Sequence, residues 1–352
     1  MQDSKRLIAD ACKGIRPERT PIFDLLLNDA VIERFAGRPL DGSADEETVL
    51  LAMGNALDGS RYAAVPDTEG RTWTDEIGNV HVANRWTSWI KSHALTSEDQ
   101  WKEWIEGQLE RLEAEPFPTA DEWAQVAAEQ RVFDARLNGT LFIHCTPSTA
   151  LNEALFGYCG LEMFSYLWAD YPDMIVRWMR ALERRNQVVI EREAHAENCA
   201  LAMIYSDMAY KQRLMFGKEM LNRLGFFDDV AGICAACHTK GLQVIFHSDG
   251  YIMDIVDDLI AAGIDGLNPI EKAAGMDIYE LRRRYPELIL VGGVDVTHLL
   301  VSGSPGDVRQ ETRNIIDRVG AEGRLLIGSS TELGNDVPLP NYLAFHDEVM
   351  WG

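Results

Sequence analysis

LQVIFHSDG, residues 242–250, is the stretch that decides the fold. An apolar run broken by one amide leads into His247-Ser248-Asp249, and Gly250 releases the chain into a turn. Continuous apolar character over this length belongs to a strand buried on both faces, and such strands pair in parallel sheets covered by helices. The polar end belongs to a strand that opens onto something chemical.

The same pattern recurs outward in both directions. LFIHCTP spans 141–147, ALAMIYSDM 200–208, GIDGLNPIE 263–271, LILVGGVDV 288–296 and RLLIGSSTE 324–332. Helical stretches separate them: 149–198 with a break at Tyr171-Pro172, then 217–240, 251–262, 277–285, Pro305 to Val319, and a last helix after Pro340. Strand–helix alternation of this kind predicts an α/β fold with a parallel sheet. Every run ends polar: His144, Ser206-Asp207, His247 to Asp249, Asn268 and Glu271, Asp295, and Ser329 to Glu332. A (β/α)8 barrel of the TIM type places its site at the C-terminal strand ends, so it needs polar residues there strand after strand. An open doubly wound sheet would need a glycine-rich phosphate loop, and neither GxGxxG nor GxxxxGK[ST] occurs in the chain. The barrel is therefore the expected fold.

Towards the N-terminus the pattern is less regular. Residues 3–14 read as an amphipathic helix stopped by Gly14 and Pro17, and Pro21 to Leu27 as a short buried strand. Residues 62–90 alternate and carry turn signals, a hairpin excursion with Trp73 and Trp86 as packing anchors. Residues 97–135 are helical by periodicity, with breaks near Pro116 and Pro118, a cap at Thr96 or Ser97, and Asp121 near the start of the second segment. The expected organisation is one domain over 1–352, elaborated within it at 62–135.

Of 352 residues, 33 are Lys or Arg and 56 are Asp or Glu, a formal charge of −23. Such a surface repels phosphate backbones and anionic membranes, so neither nucleic acid nor membrane is expected as a partner. No stretch approaches the ~20 apolar residues of a membrane helix, and the N-terminus has no signal-like apolar run. The expectation is a cytoplasmic protein. Its six cysteines are scattered, which argues against a disulfide framework. Cys234-Ala-Ala-Cys237-His238 matches the haem-attachment pattern, but helical spacing puts both cysteines on the buried face, and core packing is the expected role.

His247 and Asp249, two apart on a strand, point to one side. They can hold a metal ion, pair a base with its orienting carboxylate, or bond to a neighbouring loop and cap the next helix. Asp207 can bind a substrate hydroxyl, orient His247, or cap a helix. Asn268, before Pro269 at a strand end, is expected at the mouth, whereas Glu271 can form a surface pair with Lys272. Ser329, Ser330, Thr331 and Glu332 offer three hydroxyls and a carboxylate, while the absence of GxSxG argues against a serine nucleophile.

In the order YSDMAYKQ, GLQVIFHSDG, AAGIDGLNPIE, LILVGGVDVTHLL and RLLIGSSTELGNDVPLPNY, with RPERTPIFDLL near the start, the chain resembles the uroporphyrinogen decarboxylase superfamily. The resemblance implies a β/α barrel. True porphyrinogen decarboxylases open with arginines that hold substrate carboxylates. Here Pro21 to Leu27 has none and carries Asp24, which disfavours that substrate. The other branch holds corrinoid-dependent methyltransferases, whose partner is a small corrinoid protein. Coenzyme M-using members bind zinc through an HxC pair and a later cysteine. His247 matches the histidine, Asp249 stands where the first cysteine would be, and Thr331 stands near the second with Glu332 beside it. Zinc activation of a thiol needs soft ligands, whereas a His247, Asp249 and Glu332 set suits a harder role toward oxygen.

The resemblance thus implies methyl transfer from a methoxylated compound to a corrinoid (cobalamin) carried by a partner. His247 and Asp207 would be catalytic. Asp24, Asn268, Glu271, Asp295, Ser329, Ser330 and Thr331 would bind substrate. A zinc ion on His247, Asp249 and Glu332, or His247 alone as the acid, would assist the departing oxygen. A homodimer is a further expectation. A decarboxylase of a porphyrinogen or another acid, and a binding barrel without catalysis, are the competing readings.

Overall fold

Along Leu201–Tyr205, Leu201 and Met203 pack with Ile143, Ile245, Ile289, Val291 and Leu326, while Ala202 and Ile204 pack with Val244, Phe246, Leu267 and Leu290. Two buried clusters on opposite faces of the same strands mark an inside and an outside. The computed structural model describes residues 4–114, 141–193 and 200–352. Eight parallel segments form a closed ring in it. The bridges Ile22 to Ile327 and Phe23 to Gly59 join the first segment to the eighth and the second. Gly59–Ser60 pairs with Leu141–Phe142, and His144–Cys145 continues that third strand onto Leu201–Tyr205. Gln243–His247, Gly266–Asn268, Ile289–Val294 and Leu325–Ser329 follow in order. This is the expected (β/α)8 barrel.

The inner cluster is closed at the bottom by the helix Ser4–Cys12, which contributes Ile8, Ala11 and Cys12. The outer cluster is covered by helices, including Phe226–Thr239, on which Cys234 and Cys237 are 1% and 0% exposed. Burial pushes the Cys237 thiol up to about 12 and the Cys234 thiol well above its ordinary range, so both are inert packing groups. His238 instead pairs with Asp265 at 2.8 Å. The 217–240 stretch is two helices, Lys218–Arg223 and Phe226–Thr239, because Gly225 takes the left-handed conformation (φ 76) between them.

The excursion contains a three-stranded antiparallel sheet, Thr72–Thr74, Val80–Ala83 and Ser88–Ser92. Trp73 stacks on His81 with ring centroids 5.1 Å apart, and Trp86 donates to Asp29 Oδ1. The helix beyond runs Glu98–Ala114. The remainder of the expected 97–135 helix, with Pro116, Pro118 and Asp121, lies outside the described residues, as do Cys199 and the end of the 149–198 stretch. No helix among the described residues is long and apolar enough to cross a membrane.

The second barrel strand has only two residues, and buried polar bonds hold its base. Asp58 accepts both Arg19 nitrogens at 2.6 and 2.8 Å, the Ser4 hydroxyl at 2.7 Å and the Ile22 N–H at 2.8 Å. That hub fixes where Arg61, at the other end of the strand, emerges.

Candidate active site

His247 follows Ile245 on the inner side of its strand, so its ring stands at the top of the barrel interior, 4% exposed. Nδ1 lies 2.7 Å from Asn268 Oδ1. Asn268 Nδ2 donates to the Val291 carbonyl, which identifies Oδ1 as the acceptor and places the ring proton on Nδ1. Burial, then the Arg61 charge, lowers the His247 pKa to about 3. The ring is neutral at physiological pH and presents the Nε2 lone pair. A ring with no proton on Nε2 accepts or ligates there.

Asp207 Oδ1 lies 3.8 Å from His247 Nε2 and accepts the Asp249 N–H at 3.1 Å. Ligand atoms of Asp207, His247 and Asp249 all fall within 4.8 Å of one another. Burial, then the charges of Asp207, Glu332 and Glu271, raises the Asp249 carboxyl to about 7. Burial also raises Asp207. The donor set of one imidazole and two carboxylates fits a hard or borderline divalent cation and does not fit thiolate activation. Asp207, not Glu332, completes the set with His247 and Asp249. Glu332 is drawn aside by Arg61 Nη2 at 2.9 Å, and Thr331 Oγ1 stands 3.0 Å from Glu332 Oε2 and 3.3 Å from Asp249 Oδ1.

Arg61 is the residue that pattern reading missed. Its Nη1 lies 3.4 Å from both ring nitrogens of His247, and its guanidinium stands 5.8 Å from the Tyr205 ring centroid. It is a strand-end polar residue like the others, and the strand-end rule finds it once Gly59–Ser60 is recognised as a strand.

Other expected residues are engaged in building the barrel. Asp24 is 3% exposed and accepts Ser329 N and Oγ at 2.8 and 2.7 Å and the Leu25 N–H at 2.9 Å. Burial raises it to about 6. The Asp24–Ser329 pair ties the first strand to the eighth, and these contacts assign neither side chain to substrate. Ser330 Oγ accepts the Val296 N–H, and Asp295 caps the next helical turn through the His298 N–H. Glu271 accepts the Gly250 N–H at 2.9 Å. Asn268 reaches the site through His247.

Asp207 is placed from outside the cluster. Its N–H donates to Asn152 Oδ1 at 2.9 Å, and the helix carrying Asn152 begins at Ala150, whose N–H donates to Asp229 Oδ2 at 2.6 Å. Burial is the main cause that raises the Asp229 carboxyl to about 7, and Glu183 and Glu153 add to it. A raised carboxyl contributes stability that is complete below the unfolded pKa of about 4 and is lost as pH rises through about 7. Asp229→Asn keeps an acceptor for Ala150 and cannot ionise. It is expected to be more stable than the wild type at pH 8 by roughly 1–3 kcal/mol and little different at pH 4, below the unfolded pKa, as read by urea unfolding midpoints. Equal midpoints at pH 8 would show that folding does not raise the Asp229 carboxyl.

The uroporphyrinogen decarboxylase family's sequence profile matches residues 227–350. No curated protein matches the sequence. A methyltransferase from Methanosarcina mazei has a similar structure, with a TM-score of 0.69 and 12% identity over 99% of this chain and 98% of that one. At that identity the likeness is one of fold. The resemblance to the uroporphyrinogen decarboxylase family rests on the profile over the last strands and helices.

Proposed function

We propose that this barrel of the uroporphyrinogen decarboxylase superfamily is a methyltransferase that removes the methyl group of a small methoxylated compound at the Asp207–His247–Asp249 cluster. The observation that carries the proposal is a neutral imidazole facing two carboxylates at the barrel mouth, one of them raised to about 7. Methyl–oxygen cleavage leaves the bonding pair on a poor leaving group, which needs a proton or a cation. Asp249 holds a proton near neutrality and can deliver it to the departing oxygen. His247 Nε2 accepts from a substrate hydroxyl or water and so orients it, with Asn268 fixing the ring. A divalent ion, if bound, would be held by Asp207, His247 and Asp249 and would polarise the same oxygen. A corrinoid carried by a partner protein would take up the methyl group.

The test is to mix the protein with a reduced corrinoid protein and a panel of methoxylated aromatics, following the corrinoid absorbance. Methylation that requires a methoxy compound is the expected result. In metal-free protein the rate should fall as pH rises through about 7, because Asp249 then loses its proton. No methylation, with release of carbon dioxide from an acid instead, would favour the decarboxylase reading.

A further inference from the structure

A cation already occupies this acidic mouth, and it is part of the chain. The Arg61 side chain is 5% exposed, and Nη1 is equidistant, at 3.4 Å, from Nδ1 and Nε2 of His247. In the ring plane such a position would overlap Cε1, so the guanidinium lies over the ring face. Nδ1 already gives its proton to Asn268, and the in-plane lone pair of Nε2 is left facing Asp207. The second guanidinium nitrogen binds Glu332, whose side chain is 36% exposed. The positive charge is therefore within contact distance of Nε2, where a metal ion would bind, without using the lone pair the ion needs.

We propose that Arg61 is the resident cation of the Asp207–His247–Asp249 cluster and that a divalent metal ion binds there only in competition with it, so that Arg61 sets the metal affinity. Two positive charges a few ångströms apart in a half-buried site repel strongly. The donor set alone would hold a divalent ion. With the guanidinium over His247 the same donors hold it poorly, and affinity rises when the guanidinium is removed. The proposal concerns the charge of the cluster and stands apart from whether the protein transfers methyl groups.

The experiment titrates cobalt(II) alone into purified protein and follows its visible absorption, with zinc titration calorimetry in parallel. Arg61→Met is expected to bind at least tenfold more tightly than the wild type. Arg61→Lys, which keeps the charge, is expected to stay near the wild type. Adding Asp207→Asn to Arg61→Met should remove the gain, which locates the ion at the cluster. If Arg61→Met fails to fold, Arg61→Gln, which keeps a donor for Glu332, makes the same comparison. A neutral variant that binds no more tightly than the wild type, or a gain that survives loss of Asp207, overturns the proposal.

Discussion

His247→Ala is expected to lower methyl transfer by roughly a thousandfold while the barrel stays folded. The substitution removes Nε2, the neutral acceptor that faces Asp207, and leaves Asn268 Oδ1 without its donor. An orphaned buried acceptor costs about 1–3 kcal/mol, which a barrel of this size can absorb. Single-turnover methylation of a reduced corrinoid protein, run beside a thermal melt, separates the two effects. Full turnover in a folded variant would remove His247 from the chemistry. Loss of folding would make the ring a structural post. The wild-type ring adds a sign of its own. Its pKa is depressed in the folded state, so its contribution to stability is present above about 6.5 and is lost as pH falls toward about 3.

Gly328→Ala should have the largest effect on stability, about 3 kcal/mol or more. Gly328 sits in the eighth strand opposite Gly293, and a Cβ there would lie 1.9 Å from the Phe23 carbonyl oxygen. The obstacle is backbone, so it cannot swing aside. Either the first strand withdraws, and the Asp24–Ser329 bonds break with it, or the eighth strand bends. Gly107→Ala is the control: it lies in the helix Glu98–Ala114 with nothing within 4 Å of the added carbon, and should stabilise by about 0.5–1 kcal/mol. Urea unfolding of both variants decides the point. A Gly328→Ala protein as stable as the wild type would mean the seam is looser than these distances require.

The later strands were legible because they are long and apolar. Residues 242–250 and 288–296 contain Gln243–His247 and Ile289–Val294, and each run ends in the polar residues that face the mouth. The second strand was not legible. Gly59–Ser60 is too short for any periodicity, and it is held by Asp58, whose partners are distant in sequence. Arg61 was lost with it. Likewise His247, Asp249 and Asp207 were legible as strand-end residues. What no spacing reveals is which of the surrounding polar groups are already paired. Asp24 with Ser329, and Asp295 with the His298 N–H, make hydrogen bonds that no spacing announces. The ion pair that Glu332 makes with Arg61 is equally invisible in the sequence.

A ring of eight strands has no first or last member, so among the described residues the barrel has no edge strand onto which another chain could add. The longest open margin among the described strands belongs to Ser88–Ser92 in the excursion sheet, where Trp89 is 53% exposed. Unwanted intermolecular strand addition would start there. The margin carries its own deterrents: it is five residues long, Lys91 stands on it, and the register shift at Val80 and His81 disturbs the ladder beneath. Protection against strand addition therefore falls to the few residues of this short exposed ribbon.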